Sequence, residues 1–482
     1  MPRARLLVSA ALLACSPTLA APIAAQSARA ISQSDRQQGA QANPELVAQF
    51  GGRYTGPQSA YVERVGKRVA LQSGLSNSER DFTVQLLNSP VENAFAIPGG
   101  YIYVTRQLLA LMNSESELAF VMGHEVGHVA ARHSAGRQRT SGIAGIAASV
   151  LGAVAGNSTL GQLVGAGAQQ AAGLFTLKYG RDQEYQADTL GIRYAAGANY
   201  DPGAAPLILG QLGASTSLSA RASGRDATAV PAWLSTHPSS AARVARARQQ
   251  AQATGRAGTA PAQDTAFLRM LDGLRYDDDP AQGVIDGQTF RHPMLRLRFT
   301  APAGYTINNA ADAVTVQGSS GQAQLNLAGA GGSLADAVAA RFRAIGGQFD
   351  PGEIEDATIG GNRAAAGTIA AAVNNQRVDA TVIAIALGGQ TYTWTIITPS
   401  GRGGAAFEPL LASFSSLSQA EAAAIRGKVI RIRTVRANDT VDSLARDMAY
   451  PSLQRERFLT LNGLDASARL TPGQLVKLVV TG

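Results

Sequence analysis

The sequence feature that most constrains this chain is the stretch Ser114–His133, SESELAFVMGHEVGHVAARH. Ser114 followed three residues later by Glu117 is a capping-box pattern, so a helix is predicted to begin at or just before Ser114. Apolar residues then recur at helical spacing, and no proline interrupts them. The stretch therefore predicts one helix that carries His124-Glu125-Val126-Gly127-His128.

His124 and His128 lie one turn apart on the same face of such a helix. Two imidazoles in this arrangement can share one tetrahedral metal ion, and zinc is the usual one. Glu125 projects beside them, where a general base for a water molecule is needed. The chain has five histidines, and three of them fall within His124–His133. A core helix with two hydrogen-bonded histidines is the structural alternative, which the rarity of the pattern disfavours.

A second helix is predicted over Lys178–Ala198, where Glu184 and Asp188 lie one turn apart on one face. A catalytic zinc ion with two histidine ligands needs a third protein ligand and one open position, so Glu184 is the predicted third ligand. Asp188 is predicted to accept a hydrogen bond from the far nitrogen of a ligating histidine and so to fix its tautomer. Without the histidine motif, such an acidic pair would usually be a solvated helix face.

Composition bounds the class of protein. The formal net charge of +8 is carried almost entirely by arginine, since the 482 residues contain only four lysines. No arginine cluster is interleaved with aromatic residues, so no nucleic-acid partner is predicted. The length predicts two to four domains.

Residues 1–25 are predicted to be a signal peptide, with Arg3 and Arg5, an apolar run and small residues up to Ala25. Cys15 is the single cysteine, and the residues before it resemble a bacterial lipoprotein box, so lipidation is the less favoured alternative to simple secretion. The mature chain is predicted to have no disulfide.

Two further stretches flank the histidine helix. Residues 142–177 are apolar and contain no charged residue, but glycine and polar residues interrupt them. They predict a helical hairpin, a mobile lid or a peripheral membrane contact rather than a membrane span. The segment Asn93–Gly100 followed by the strand-like Tyr101–Thr105 is compatible with a plain hairpin and with an edge strand to which an extended peptide could add.

Four motifs now follow one another: NAFAIPGGYIYVTRQLL, ELAFVMGHEVGHVAARH, RDQEYQADTLG and STHPSSAAR. Residues from about 30 to 250 resemble the zinc metalloendopeptidase family of bacterial periplasmic quality-control proteases and CaaX-prenyl endopeptidases, the BepA-like members above all. The resemblance implies one zinc ion (Zn2+) per chain, held by His124, His128 and Glu184, with Glu125 as the catalytic base. The helical-repeat tail of the BepA-like members has no counterpart here.

The resemblance also implies roles for residues outside the two helices. Asn93 and Ala94 are expected to hold the substrate backbone. His237 matches a family histidine that faces the zinc and either stabilises the oxyanion or blocks the metal at rest; a turn histidine before proline is the structural alternative. His133 and Arg132 follow the helix and are interpreted as structural.

The predicted fold is multidomain. Residues 26–255 are expected to form a mainly α zincin-like (gluzincin) catalytic domain with a small β-hairpin or edge strand, and residues 256–284 a linker. An α+β domain weakly similar to PsbP-like proteins follows at 285–420, in which His292 is structural. Residues 428–482 resemble a small βααβ LysM module, which implies binding to N-acetylglucosamine polymers such as peptidoglycan, or a module that has lost this activity.

The interpretation is a zinc metalloendopeptidase of the bacterial periplasm, peripherally associated with the outer membrane or cell wall, whose substrates are unfolded or misassembled envelope proteins. The alternatives are a non-catalytic envelope chaperone or assembly factor anchored to peptidoglycan, and a peptidoglycan hydrolase. Because no predicted site residue lies in the C-terminal module, peptide-bond hydrolysis is expected to survive deletion of Val429–Gly482.

Overall fold

A computed structural model describes residues 30–133, 179–222, 237, 241–260, 263–310, 313–346, 353–373 and 376–482. The predicted signal peptide with Cys15, and the apolar stretch 142–177, lie outside these residues. Within these ranges no helix is both long enough and apolar enough to cross a membrane.

The first part of the chain builds helices around a three-stranded sheet. Its elements are α1 (Gln33–Gln49), α2 (Pro57–Ala70), β1 (Thr83–Leu87), β2 (Ala94–Ile97), β3 (Tyr101–Thr105), α3 (Arg106–Leu111), α4 (Glu115–Ala130), α5 (Arg181–Gly197), α6 (Ala204–Ala222) and α7 (Ala241–Ala253). The strand order is β1-β3-β2, with β1 parallel and β2 antiparallel to β3. Gly99 and Gly100 turn the chain between β2 and β3 with φ of +91° and +85°. The stretch Asn93–Thr105 therefore forms a hairpin whose first strand lies at the edge of its sheet.

Helix α4 is the centre of this part of the molecule, since every residue from Ser116 to His128 is buried. Its start agrees with the sequence prediction, because the side chain of Ser114 accepts a hydrogen bond from the Glu117 amide at 3.2 Å. The Glu117 carboxylate, however, accepts from the amide of Asn113 at 2.8 Å, one residue before the cap. The capping box is thus replaced by a bond that ties the helix to the turn preceding it.

Helices α4 and α5 approach so closely that their backbones touch. A methyl group added at Gly191 would lie 2.8 Å from the backbone nitrogen of His124, and one added at Gly123 would lie 3.0 Å from the Gly191 carbonyl oxygen. Contacts this short leave no room for a side chain. Glycine at these two positions therefore allows the short distance between the two helices that carry the predicted ligands.

The middle of the chain forms an α+β unit of two sheets. Its elements are β5 (Val284–Asp286), β6 (Thr289–His292), β7 (Leu297–Thr300), β8 (Thr306–Asn309), β9 (Val314–Gly318), β10 (Gly321–Gly329), α9 (Leu334–Ala344), β11 (Glu355–Ile359), β12 (Asn362–Val373), β13 (Gln376–Leu387), β14 (Gln390–Pro399), α10 (Glu408–Ser413), β15 (Ser415–Ser416) and α11 (Gln419–Ala424). The seven-stranded sheet has the order β11-β12-β13-β14-β10-β9-β8, and the four-stranded one β15-β7-β6-β5. Alternation along β13 places Val382 in the core that contains Val338 of α9, and Ile383 in the core that contains Phe414, next to α10.

The C-terminal part has the βααβ order expected from the sequence: β16 (Lys428–Thr434), α12 (Val441–Ala445), α13 (Gln454–Leu461) and β17 (Leu475–Thr481). The range predicted as a linker contains α8 (Thr265–Met270) and β4 (Arg275–Tyr276), and β4 pairs with β16 in a sheet of order β17-β16-β4. The apolar side chains of α8, β16 and β17 belong to the same core cluster as those of α4. The C-terminal module, hereafter residues 428–481, is packed onto the first part of the molecule.

Candidate metal centre

The structure brings the predicted ligands together at one buried point. The Nε2 atoms of His124 and His128 are 3.0 Å apart, and the Glu184 carboxylate lies 3.6 Å from the first and 3.4 Å from the second. His237 joins them, with its Nδ1 atom 2.9 Å from Glu184 Oε1 and 3.2 Å from His124 Nε2. One ligand atom from each of the four residues lies within 4.8 Å of the others. Helices α4 and α5 thus supply three converging donors, and His237 supplies a fourth.

Each α4 histidine meets a polar group at its outer nitrogen. His124 Nδ1 lies 3.0 Å from Asp188 Oδ1, one turn after Glu184 on α5. His128 Nδ1 lies 2.9 Å from His133 Nδ1, and His133 Nε2 lies 3.0 Å from Gln186 Oε1. Such contacts fix the ring orientation and leave Nε2 to face the shared point.

Arg243 is a buried cation behind the ligands. Its Nε and Nη2 atoms bind the two oxygens of Asp188 at 2.6 and 2.8 Å, and Nη1 lies 2.7 Å from Glu184 Oε2. Nη1 also donates to the backbone carbonyl of His237 at 3.2 Å. All these side chains are at most 3% exposed. Arg243 therefore balances the charge of two carboxylates and holds the backbone of His237 beside them.

These contacts set the protonation of the donors. Burial lowers the pKa of His128 well below its usual value, which keeps the ring neutral. Burial by itself would raise the pKa of Glu184, but the charge of His237 and hydrogen bonds from His128 and His237 outweigh it and hold that pKa far below its ordinary value. Burial would also raise the pKa of Asp188, and Arg243 holds it low instead. Neutral imidazole and ionised carboxylate are the forms that bind metal ions.

The donors fit zinc. Two imidazole nitrogens and one carboxylate oxygen are a frequent protein ligand set of catalytic zinc sites, and here they converge at one buried point. Glu125 is 2% exposed, and its Oε1 atom lies 3.7 Å from His237 Nε2. The carboxylate that is not a ligand thus lies next to the ligand cluster, on the side of His237.

Ala94 begins β2, one of the elements that pack against α4, and Asn93 directly precedes it. Ala94 is the first residue of β2 and pairs with Val104 of β3. The Asn93 carbonyl and amide are both bonded within the hairpin, to the Thr105 amide at 2.9 Å and to Thr105 Oγ1 at 3.1 Å. The Asn93 side chain is buried, and its Nδ2 atom has no hydrogen-bond partner among the described residues. The edge strand that begins at Ala94 therefore lies beside the helix of the metal centre.

Residues 57–251 match the family model described as Peptidase family M48. This part of the chain is similar to Peptidase family M48. The predicted resemblance is thereby confirmed for this part of the chain, and the convergent histidine and glutamate side chains agree with it.

Named relatives belong to two groups. The mitochondrial metalloendopeptidase OMA1 of Schizosaccharomyces pombe is 31% identical over 209 residues, which is 42% of this chain and 56% of that protein. The beta-barrel assembly-enhancing protease of Yersinia pestis is 33% identical over 220 residues, 44% of this chain and 42% of that protein. The Escherichia coli protein of the same name is 32% identical over 200 residues, 40% and 38% of the two chains. The match thus spans about half the length of these relatives or less, and the relatives support the predicted metalloendopeptidase class.

Sequence reasoning did not predict the parts played by Arg243 and His133. Arg243 is the last residue of the STHPSSAAR motif, which was the available signal, but Arg246 and Arg248 follow on the same helix. His133 was interpreted as structural because the helix ends before it. The structure shows that Arg132 adopts a φ of +55°, and the His133 amide donates to the His128 carbonyl at 3.1 Å. This turn folds His133 back onto His128.

Proposed function

We propose that this protein is a zinc-dependent metalloendopeptidase that hydrolyses peptide bonds of misfolded or misassembled proteins of the bacterial cell envelope. The observation that carries the proposal is the convergence of His124, His128 and Glu184 at one buried point with Glu125 beside it. The names of the bacterial relatives, which refer to beta-barrel assembly, support the class of substrate.

The geometry supports a separate role for each group of the site. A bound zinc ion would supply the Lewis acidity that activates a water molecule and the scissile carbonyl. Glu125 is not needed as a ligand, so its carboxylate is available to take the proton of the attacking water and to deliver it to the leaving amine. Asn93 and Ala94, at the start of the edge strand β2, are proposed to hold the substrate as an additional extended strand.

His237 has two candidate roles, and the distances favour one of them. Its Nδ1 atom lies 3.2 Å from His124 Nε2 and 2.9 Å from Glu184 Oε1, which is within the set of donor atoms. We propose that His237 occupies the fourth ligand position at rest and must leave it before substrate binds, rather than acting only on the oxyanion.

The C-terminal module is proposed to contact peptidoglycan in the periplasm through its two long loops. Most residues of 436–440 and 463–473 are exposed, although the module is packed on the catalytic domain. Pull-down of the full-length protein with sacculi, competed by N-acetylglucosamine oligomers, tests this contact. Retention that salt abolishes and the oligomers leave unchanged would show charge attraction instead.

The experiment that tests the proposed activity uses the Glu125→Gln variant. The variant should bind about one zinc ion per chain, as the unaltered protein does, because no ligand is removed, and it should cut no unfolded casein-type substrate. Folded unaltered protein without zinc would refute the metal site. Suppressed aggregation without peptide release would favour the chaperone alternative, and muropeptide release from sacculi would favour the peptidoglycan hydrolase.

A further inference from the structure

Lys477 is a buried cation far from the metal centre in sequence. It lies in β17, and its side chain is fully buried. Its Nζ atom donates to the carbonyl oxygens of Ala110, Leu111 and Met112 at 2.7, 2.9 and 2.7 Å. Three acceptors match the three N–H groups of an ammonium ion. These three carbonyl oxygens therefore stabilise the charged form of Lys477.

The three acceptors lie where a cation is most effective. Ala110 and Leu111 end α3, and Met112 caps it, so these carbonyls have no partner within the helix. The negative end of the helix dipole also points at this turn. Only Asn113 and Ser114 separate the turn from the first residue of α4. Lys477 thus satisfies the backbone groups immediately before the helix that carries His124 and His128.

The first turn of α4 supplies the countercharge. Glu117 is buried, and its carboxylate accepts from the Asn113 amide at 2.8 Å. Burial lowers the pKa of Lys477 to about 7, and the charge of Glu117 opposes this lowering. Loss of the Lys477 cation would leave Glu117 as a buried carboxylate without its compensating charge.

Further hydrogen bonds fix the position of Lys477 relative to the α3–α4 turn. The amide and carbonyl of Lys477 bond to the Asn462 side chain at 2.7 and 2.9 Å. Gln211 of α6 donates to the Leu111 carbonyl at 2.7 Å and to the Thr460 carbonyl of α13 at 2.9 Å. The module and the α3–α4 turn are therefore joined by two separate sets of buried hydrogen bonds.

We propose that Lys477 is a positioning residue of the metal centre and that the C-terminal module is a structural part of the protease domain, not a detachable anchor. The inference rests on the proposed zinc-dependent activity. Helix α4 rises about 15 Å from Ser114 to His124, and a regular helix passes a displacement of its first turn on to its ligands. This position of Lys477 replaces the expectation that hydrolysis survives deletion of Val429–Gly482, because the deletion would uncover the shared core.

Single substitutions test the inference without cutting the chain. Lys477→Met keeps the length and apolar stem but removes the charge and all three donors. Lys477→Gln keeps two N–H donors and should give an intermediate result. Lys67→Met is the matched control, since Lys67 forms an ion pair with Glu63 on the outer face of α2.

The readouts are zinc affinity by chelator competition, the visible spectrum of the protein loaded with Co2+, and kcat and KM for a quenched peptide. We expect Lys477→Met to bind zinc about tenfold more weakly. Its cobalt spectrum should be altered, and kcat should fall on the order of 10–100-fold with little change in KM. The order should be unaltered protein, then Lys477→Gln, then Lys477→Met, with Lys67→Met unchanged.

The outcomes separate this inference from the proposed function. If folded Lys477→Met has the zinc affinity, cobalt spectrum and kcat of the unaltered protein, Lys477 is not a positioning residue. If Lys477→Met does not fold, Lys477→Gln decides the matter by the same three readouts. If the unaltered protein itself binds no zinc and cuts no peptide, the proposed function has failed.

Discussion

Replacing Arg243 with methionine should be one of the most damaging single changes at the metal centre. Methionine fills a similar volume but leaves Asp188 and Glu184 without the guanidinium that contacts them at 2.6 to 2.8 Å. All three side chains are at most 2% exposed, so water cannot replace the lost cation. Removing one partner of a buried ion pair typically costs about 3–5 kcal/mol. We expect a loss of that size in the free energy of unfolding of Arg243→Met.

The assay is urea unfolding followed by circular dichroism at pH 8 and pH 5. With Arg243 gone, burial raises the pKa of Asp188, so the destabilisation is present at high pH and decreases as the pH falls and the carboxyl group takes up a proton. The deficit of Arg243→Met should therefore be smaller at pH 5 than at pH 8. Arg246→Met on the same helix is the control, because Arg246 is exposed.

A double-mutant cycle identifies the partner. If Arg243 acts through Asp188, Arg243→Met combined with Asp188→Asn should be at least about 1 kcal/mol more stable than the sum of the single losses predicts. Strictly additive losses, or a deficit below about 1 kcal/mol for Arg243→Met alone, would refute the argument that this cation compensates the two carboxylates.

Three further predictions concern other parts of the structure. His237→Ala should raise the basal rate of casein cleavage because it removes the proposed resting ligand, whereas His292→Ala, also beside a proline, should not; a large fall in rate would instead support the oxyanion role. Burial raises the pKa of Glu92 to about 7, so its contribution to stability is fully present below about pH 4.5 and is lost as the pH rises to 7. Glu92→Gln should therefore raise the free energy of unfolding by about 1–3 kcal/mol at pH 8 and leave it almost unchanged at pH 4.5, and equal effects at the two pH values would contradict this. Gly191→Ala should force α4 and α5 apart, since its methyl group would lie 2.8 Å from the His124 nitrogen, and zinc titration should show weaker binding; unchanged affinity would mean that the helices adjust at no cost.

The shared helix faces and the helix start could be predicted, because residue spacing and capping within a single stretch determine them. The spacing of His124 and His128, and of Glu184 and Asp188, fixes a shared face once each stretch is helical. Ser114 marks the start of α4 because its side chain satisfies an otherwise unpaired amide. The strand Tyr101–Thr105 was predicted with its observed bounds.

The remaining features depend on distant parts of the chain. No residue near Arg243 in the sequence distinguishes it from Arg246. Both arginines lie in the same alanine-rich helix, but Arg246 is exposed to solvent. The role of Lys477 is equally hidden, since a lysine in a strand usually points to water. The range 256–284 is rich in turn residues and reads as a linker, yet β4 within it gains its order from pairing with β16. These three features are determined by packing between segments that are distant in the sequence, which local sequence patterns do not describe.

The bonds of Lys477 also have a consequence for the order of events during synthesis. They join residues 365 to 367 positions apart. At ribosomal rates of about 5–20 residues per second, residue 477 follows the α3–α4 turn by roughly 20–70 s. During that interval the helix with both histidines is already made, but the turn before it still lacks its cation. A growing copy therefore cannot form the proposed support of its metal centre until residue 477 has been synthesised.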